Sequence, residues 1–167
     1  MSKPHIEIEK KYIIKKPVIS DMQGCEGYFA SEIIQTYLLS ESGVTRRVRS
    51  RESAGKVVYT ETKKIRIDKM SSIEDEREIS RDEYELLLKD ADPSSHPIHK
   101  VRHAFTYQNQ VFEIDVYPEW KSNAILETEL EIKEKTVEFP PFIEIVSDVT
   151  GDRRYSNAAM SRVFPEE

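Results

Sequence analysis

The chain has 167 residues, 34% of them charged and 38% hydrophobic, with a net charge of −6. That length suits one domain, 1–167, with a sizeable core, and the acidic balance argues against a general nucleic-acid or membrane-surface binder. Cys25 is the only cysteine, which excludes an intrachain disulfide or a thiolate metal site. The N-terminal MSKPHIEIEKK has no apolar signal core and no run approaches the ~20 apolar residues of a membrane span, so a cytoplasmic protein is expected.

The first predicted strand covers 6–14 and alternates: Ile6, Ile8, Lys10, Tyr12 and Ile14 share one face, Glu7, Glu9, Lys11 and Ile13 the other. A polar stretch with Gly24 and Gly27 follows, with room for a short helix. Further strands read at 33–40, at 45–52 after a turn, at 57–65 after SAGK, and at 72–80. Ser80 with Glu83 forms a capping box before Tyr84, Leu86, Leu87 and Leu88 and predicts a helix. HKVRHAFTY and QVFEIDVY predict a hairpin around Asn109, and 124–132 an eighth strand. Pro140-Pro141 breaks the chain, and Ser156 opens a short capped helix. Eight strands on short turns predict an α+β, mainly β protein: an eight-stranded antiparallel closed barrel with short helices outside, a two-sheet sandwich being the alternative.

At period two the charges fall into rows. Glu7, Glu9 and Lys11 form one; Arg47, Arg49 and Arg51 another. Glu61 with Lys63, Glu74 with Glu76 and Glu78, Lys100 with Arg102, Glu113 with Asp115, and Glu127 with Glu129 and Glu131 complete the set. One such row is a solvated face. Seven strands with the habit need another account, because like charges clustered on a strand are unfavourable. The remaining faces carry Val57 and Tyr59, Ile114 and Val116, Ile125 and Leu130, which are expected to pack under the outer helices. The charged rows then line the lumen. Such a lumen is unstable dry. It suits water, a hard divalent metal on carboxylate oxygen, and a polyphosphate on Arg and Lys. The four histidines, His5, His96, His99 and His103, have no persuasive metal spacing; Trp120 is expected to pack outside.

Glu7-x-Glu9-x-Lys11 resembles the ExExK signature of the CYTH superfamily, the triphosphate tunnel metalloenzymes. The resemblance extends in order through Gln35 and Tyr37, RRVRSR, Tyr59 to Lys63, EDEREIS, HKVRHAF, FEIDVY, LETELE and VTGDRRYSNAAM, that is, most of the chain. It implies that Glu7, Glu9, Glu127 and Glu129 hold Mg2+ or Mn2+. It implies that Lys11, Arg47, Arg49, Lys63, Lys100 and Arg102 bind a triphosphate. Glu76, Glu78 and Asp115 would orient a second metal, water or basic neighbours, Asp115 equally serving as an ion-pair partner. Lys11 and Lys63 join these as catalytic candidates, the general base being a lumen Lys of lowered pKa or a carboxylate. The fifth and eighth strands each carry three alternating acids, so two registers fit each. Lys64 stands where the family often has Gly, Asn123-Ala124-Ile125 replace a Gly-Leu lead, and Gly151-Asp152-Arg153-Arg154-Tyr155 replaces Gly-Asp-Pro-Arg-Tyr. The implied activity is hydrolysis of a triphosphate small molecule, foremost inorganic tripolyphosphate, with no nucleic-acid or membrane partner and a homodimer compatible. Class IV adenylate cyclase, thiamine or nucleoside triphosphatase, and a non-catalytic polyphosphate-binding module are the other readings.

Overall fold

The computed structural model describes residues 4–167. Nine strands form one antiparallel sheet: β1 (His5–Lys15), β2 (Glu26–Leu38), β3 (Val44–Ser53), β4 (Lys56–Arg66), β5 (Ser71–Ile79), β6 (Ile98–Tyr107), β7 (Gln110–Val116), β8 (Asn123–Glu129) and β9 (Ile145–Asp148). The order β5-β4-β3-β2-β6-β7-β8-β1-β9, with β5 also pairing β1, closes the first eight into a barrel. Closure removes the free edges that an open sheet would expose.

β1 divides one of its edges. His5 to Ile8 pair with β5, and beyond them Tyr12 to Ile14 pair with β9, while β8 runs along the other edge from Glu9 to Lys15. The tight hairpins follow from backbone chemistry. Ala54 and Gly55 between β3 and β4, and Gln108 and Asn109 between β6 and β7, take positive φ at both central residues, the geometry whose twist matches flanking strands. β2 begins at Glu26, earlier than the alternation indicated, because Gly27 at φ 66 carries the chain through a register shift between Glu26 and Phe29.

The apolar residues form three clusters around the charged lumen. On one outer wall Tyr12, Ile14, Phe105, Phe112, Ile114 and Leu126 are buried. Here the expected helical cover is largely replaced: Val137, Phe139, Phe142 and Ile143 of an irregular segment lie over them, with Met22 of α1 (Ile19–Gln23). On another wall Leu38, Val48 and Ile79 pack under Tyr84, Leu87 and Leu88 of α2 (Arg81–Leu87) and the turn after it. Ser80 caps α2 by accepting from the Glu83 N–H at 3.1 Å, but the Glu83 carboxylate turns to Arg77 instead of completing the capping box. The third cluster closes one end of the barrel. Tyr37, Ile98, Tyr117, Ile125 and Trp120 meet Met160 of α3 (Asn157–Met160), with Tyr155 and Phe164 beside them. Trp120 and Ile125, expected to pack outside, are therefore part of a plug. The Trp120 indole N–H donates to the Pro165 carbonyl at 2.7 Å. Ile6, on the largely apolar face of β1, stands 63% exposed on the outer face.

No helix among the described residues is long and apolar enough to cross a membrane. Cys25 is a free thiol.

Candidate active site: the charged lumen

The lumen is a cavity of about 830 Å3. Strand alternation sends every second side chain into it. β1 contributes His5, Glu7, Glu9 and Lys11; β3 contributes Arg47, Arg49 and Arg51; β8 contributes Glu127 and Glu129; Arg102 enters from β6 and Glu76 from β5. Most of the residues expected to share a site are thus brought into one chamber.

Four are not. Lys63 faces outward and is exposed, and its neighbour Lys64 lines the lumen. The reason is register. Val57, Tyr59, Glu61 and Lys63 lie on one face of β4, and Glu61 pairs there with Arg46 at 2.9 Å and Arg77 at 2.8 Å. A face that sends Tyr59 against Tyr84 of α2 cannot also send Lys63 inward. Glu78 lies exposed near the end of β5, beyond the lining; Glu74 and Glu76 are the two β5 acids that reach the lumen. Lys100 and Asp115 stand behind the lining with fully buried side chains.

Those two are the keystone of a buried network. Asp115 accepts from Lys100 Nζ at 2.7 Å and from the fork of Arg102, Nε at 2.8 Å and Nη2 at 2.9 Å. Burial alone would raise its pKa; the Arg102 guanidinium and Lys100 ammonium outweigh that and hold it at about 2. Burial, with Arg102 and Arg49 nearby, pushes Lys100 down to about 7 in spite of Asp115. Arg102 turns its remaining Nη1 to Glu113 at 3.0 Å. Arg49 is fixed by donating Nε and Nη2 to Gln35 Oε1, and Gln35 donates in turn to the Tyr37 hydroxyl. Arg47 keeps a buried Nε with no hydrogen-bond partner among the described residues.

The acidic half of the chamber is less satisfied. Glu127 alone lies between cations, Lys11 at 3.5 Å and Arg102 at 3.8 Å, and these overcome its burial and hold it well below the usual carboxylate range. Glu9 is pushed well above that range, by burial first and then by the Glu127 carboxylate. Burial raises Glu7 too, with Glu74 adding to it, and raises Glu129, with Glu7 adding to it. Lys64 compensates partly, standing 3.8 Å from Glu7 and 3.9 Å from Glu74. Carboxylates crowded in this way favour a cation. The donors of His5, Glu7 and Glu74 all lie within 4.8 Å of one another, a spacing open to a metal ion. Thr62 donates to Glu76 at 2.9 Å.

Lys64 and His5 are lumen groups that sequence reasoning missed, and Glu74, expected in a lumen row, was given no role there. The signal for Lys64 was the outward position of Tyr59, counted forward at period two. Glu74 follows from Lys64, its antiparallel partner in β4. His5 continues the Glu7–Glu9–Lys11 row by one step. A second concavity, about 930 Å3, lies on the outer wall between α2 and the turn at 118–121. Ile34, Val57, Val101 and Pro118 line it with scattered charges, and it holds no comparable cluster of catalytic groups.

No family model and no curated protein matches this sequence. Solved structures do. The inorganic triphosphatase NE1496 superposes with a TM-score of 0.58 at 22% identity, over 96% of this chain and 97% of that one. PH1819 from Pyrococcus horikoshii OT3 gives a TM-score of 0.60 at 17% identity, over 77% of this chain and 80% of that one. A candidate adenylate cyclase from Bacillus halodurans gives 0.53 at 19% identity, over 78% and 83%. The chain shares the fold of these proteins, which bears out the resemblance to CYTH barrels at the level of architecture.

Proposed function

We propose that the protein is a divalent-metal-dependent hydrolase that cleaves a terminal phosphoanhydride of a triphosphate, inorganic tripolyphosphate foremost, in the cytosol and without a nucleic-acid partner. The observation that carries this reading is the division of one lumen into two halves. Glu7, Glu9 and Glu129 are crowded carboxylates with raised pKa values, and Arg47, across from them, holds a buried donor unused. An all-oxygen donor set of Glu7, Glu9, Glu127 and Glu129 fits hard Mg2+ or Mn2+, with Glu74 adjoining. Such an ion, when bound, supplies neutralisation of charge on the transferred phosphoryl group.

The chain's own residues do the rest. Arg47, Arg49 and Arg102 present guanidinium N–H groups toward phosphate oxygens, and Lys11 and Lys64 add point charge. Gln35 and Asp115 fix the orientation of Arg49 and Arg102, so little rearrangement is needed as charge develops. Glu76, held by Thr62, is placed to orient water. Lys100 has the lowered pKa expected of a general base, but its fully buried ammonium is paired with Asp115 at 2.7 Å and does not line the lumen. It serves to support Asp115 and Arg102.

The test offers purified protein tripolyphosphate, ATP and thiamine triphosphate with Mg2+ or Mn2+. Phosphate release chiefly from tripolyphosphate, abolished in Arg47→Ala, is expected. Cyclic AMP with pyrophosphate would select the cyclase reading, and binding without turnover the polyphosphate-binding module.

A further inference from the structure

Lys69 and Arg153 line the same lumen but take no part in the site described above. Lys69 belongs to the turn between β4 and β5. Arg153 belongs to the strap that follows β9. Two contacts bring them to one rim. Arg66 Nη2 donates to the Gly151 carbonyl at 2.9 Å. Gly151, at φ +77, lies so close to the turn that a Cβ on it would stand 2.8 Å from the Lys69 Cβ.

The acids of this rim are already matched. Asp68 pairs with Lys133 and accepts from the backbone N–H groups of Met70 and Ser71. Asp152 pairs with Arg154 at 2.7 Å. Lys69 and Arg153 make no ion pair among the described residues, so the rim carries two uncommitted cations beside the lumen. Arg66 follows Lys64 by one inward step of β4, about 7 Å along the strand, so the rim adjoins the acidic half of the chamber at Glu7 and Glu74.

We propose that Lys69 and Arg153 form an outer anion subsite that takes additional phosphate groups of a linear polyphosphate longer than three units. The inference rests on the triphosphatase reading of the lumen and extends its substrate class. A nucleoside at this rim would meet two cations, while the strap's own aromatic ring, Tyr155, already has the Arg154 guanidinium 5.5 Å over its face. Repeating anionic groups on a freely rotating chain are what solvent-facing Lys and Arg side chains attract, Lys as a point charge and Arg as a fork on phosphate oxygens.

The decisive comparison uses tripolyphosphate and a longer linear polyphosphate with wild type and the K69A/R153A double variant. Binding is read by calorimetry in EDTA, which needs no turnover, and hydrolysis with Mg2+. Wild type should bind the longer chain about tenfold more tightly per end group than tripolyphosphate, with the advantage shrinking as salt is raised. The double variant should lose that advantage and keep its affinity and kcat for tripolyphosphate. Equal affinity of wild type for both chains, or an advantage that survives the double substitution, would overturn the subsite. Absence of tripolyphosphate hydrolysis in wild type would overturn the enzymatic reading instead, and the calorimetric comparison would still decide the subsite.

Discussion

Lys63 and Lys64 are adjacent on one strand and face opposite ways, which makes them a matched pair for testing the site. Lys64→Ala removes a cation beside Glu7 and Glu74 and should lower kcat/KM for tripolyphosphate about a hundredfold. Lys63→Ala, on the outer wall, should leave it within about twofold. Equal effects would place the wrong face of β4 in the lumen. Glu9 makes a different point. Its pKa is raised in the fold, so the folded chain holds a proton that the unfolded chain has released, and stability falls as pH rises from the ordinary carboxylate value through the raised one. Glu9→Gln should therefore flatten that fall. At neutral pH without metal it should raise Tm by about 2–4 °C, corresponding to ~1 kcal/mol, while weakening Mg2+ binding; differential scanning fluorimetry and calorimetry read the two effects. Asp115 behaves oppositely: its pKa of about 2 means that its stabilisation is present above the unfolded carboxylate value and is lost as pH falls toward 2. Asp115→Asn leaves Lys100 and Arg102 buried without their counter-charge and should destabilise the fold by about 3–5 kcal/mol in urea titration.

Among the elements, α2 shows how local chemistry supports the barrel. Ser80→Ala removes the bond to the Glu83 N–H and should cost about 1 kcal/mol in chemical denaturation, without changing the assay for tripolyphosphate. Strand identity was legible wherever one face is charged and the other largely apolar, as in β1 and β6, because alternation states both the element and its two sides. It was less legible where both faces carry charge. On β4, Glu61 and Lys63 form an outer charged row and Lys64 and Arg66 an inner one, so charge alone cannot say which points in, and Tyr59, packed against Tyr84, must decide. On β5 the three glutamates left the register open until pairing with Lys64 fixed Glu74 and Glu76 inside. β9 was not foreseen, because Ile145–Asp148 is exposed on all four residues and exists only through its hydrogen bonds to β1. The plug was missed for a related reason: Tyr37, Trp120 and Met160 are far apart in sequence, and apolar composition does not say whether a residue covers a wall or stops an end.

At the scale of the whole molecule, a barrel filled with charge is stabilised by whatever neutralises it. Tripolyphosphate with Mg2+ at a hundred times its dissociation constant should add about 2.7 kcal/mol and raise Tm by about 5–10 °C; sulfate at the same ionic strength should do much less if the lumen recognises a condensed phosphate. The divided edge of β1 has a further consequence, in time. The backbone N–H of Lys11 is held by Thr150, 139 residues later in the chain, and β8, the partner of its other edge, is only slightly closer. At roughly 5–20 residues per second on the ribosome, the first strand waits roughly 7–28 s for the segment that covers it. His5 to Ile8 meet their β5 partner partway through that interval, but Tyr12 and Ile14 remain β-prone residues with no native neighbour until β8 is made, and the alternating Glu7, Glu9 and Lys11 are what keep the strand apart from other chains. The residues proposed to hold metal and phosphate in the finished barrel thus have an earlier occupation, as the charges that guard an unpaired strand while the rest of the protein is being made.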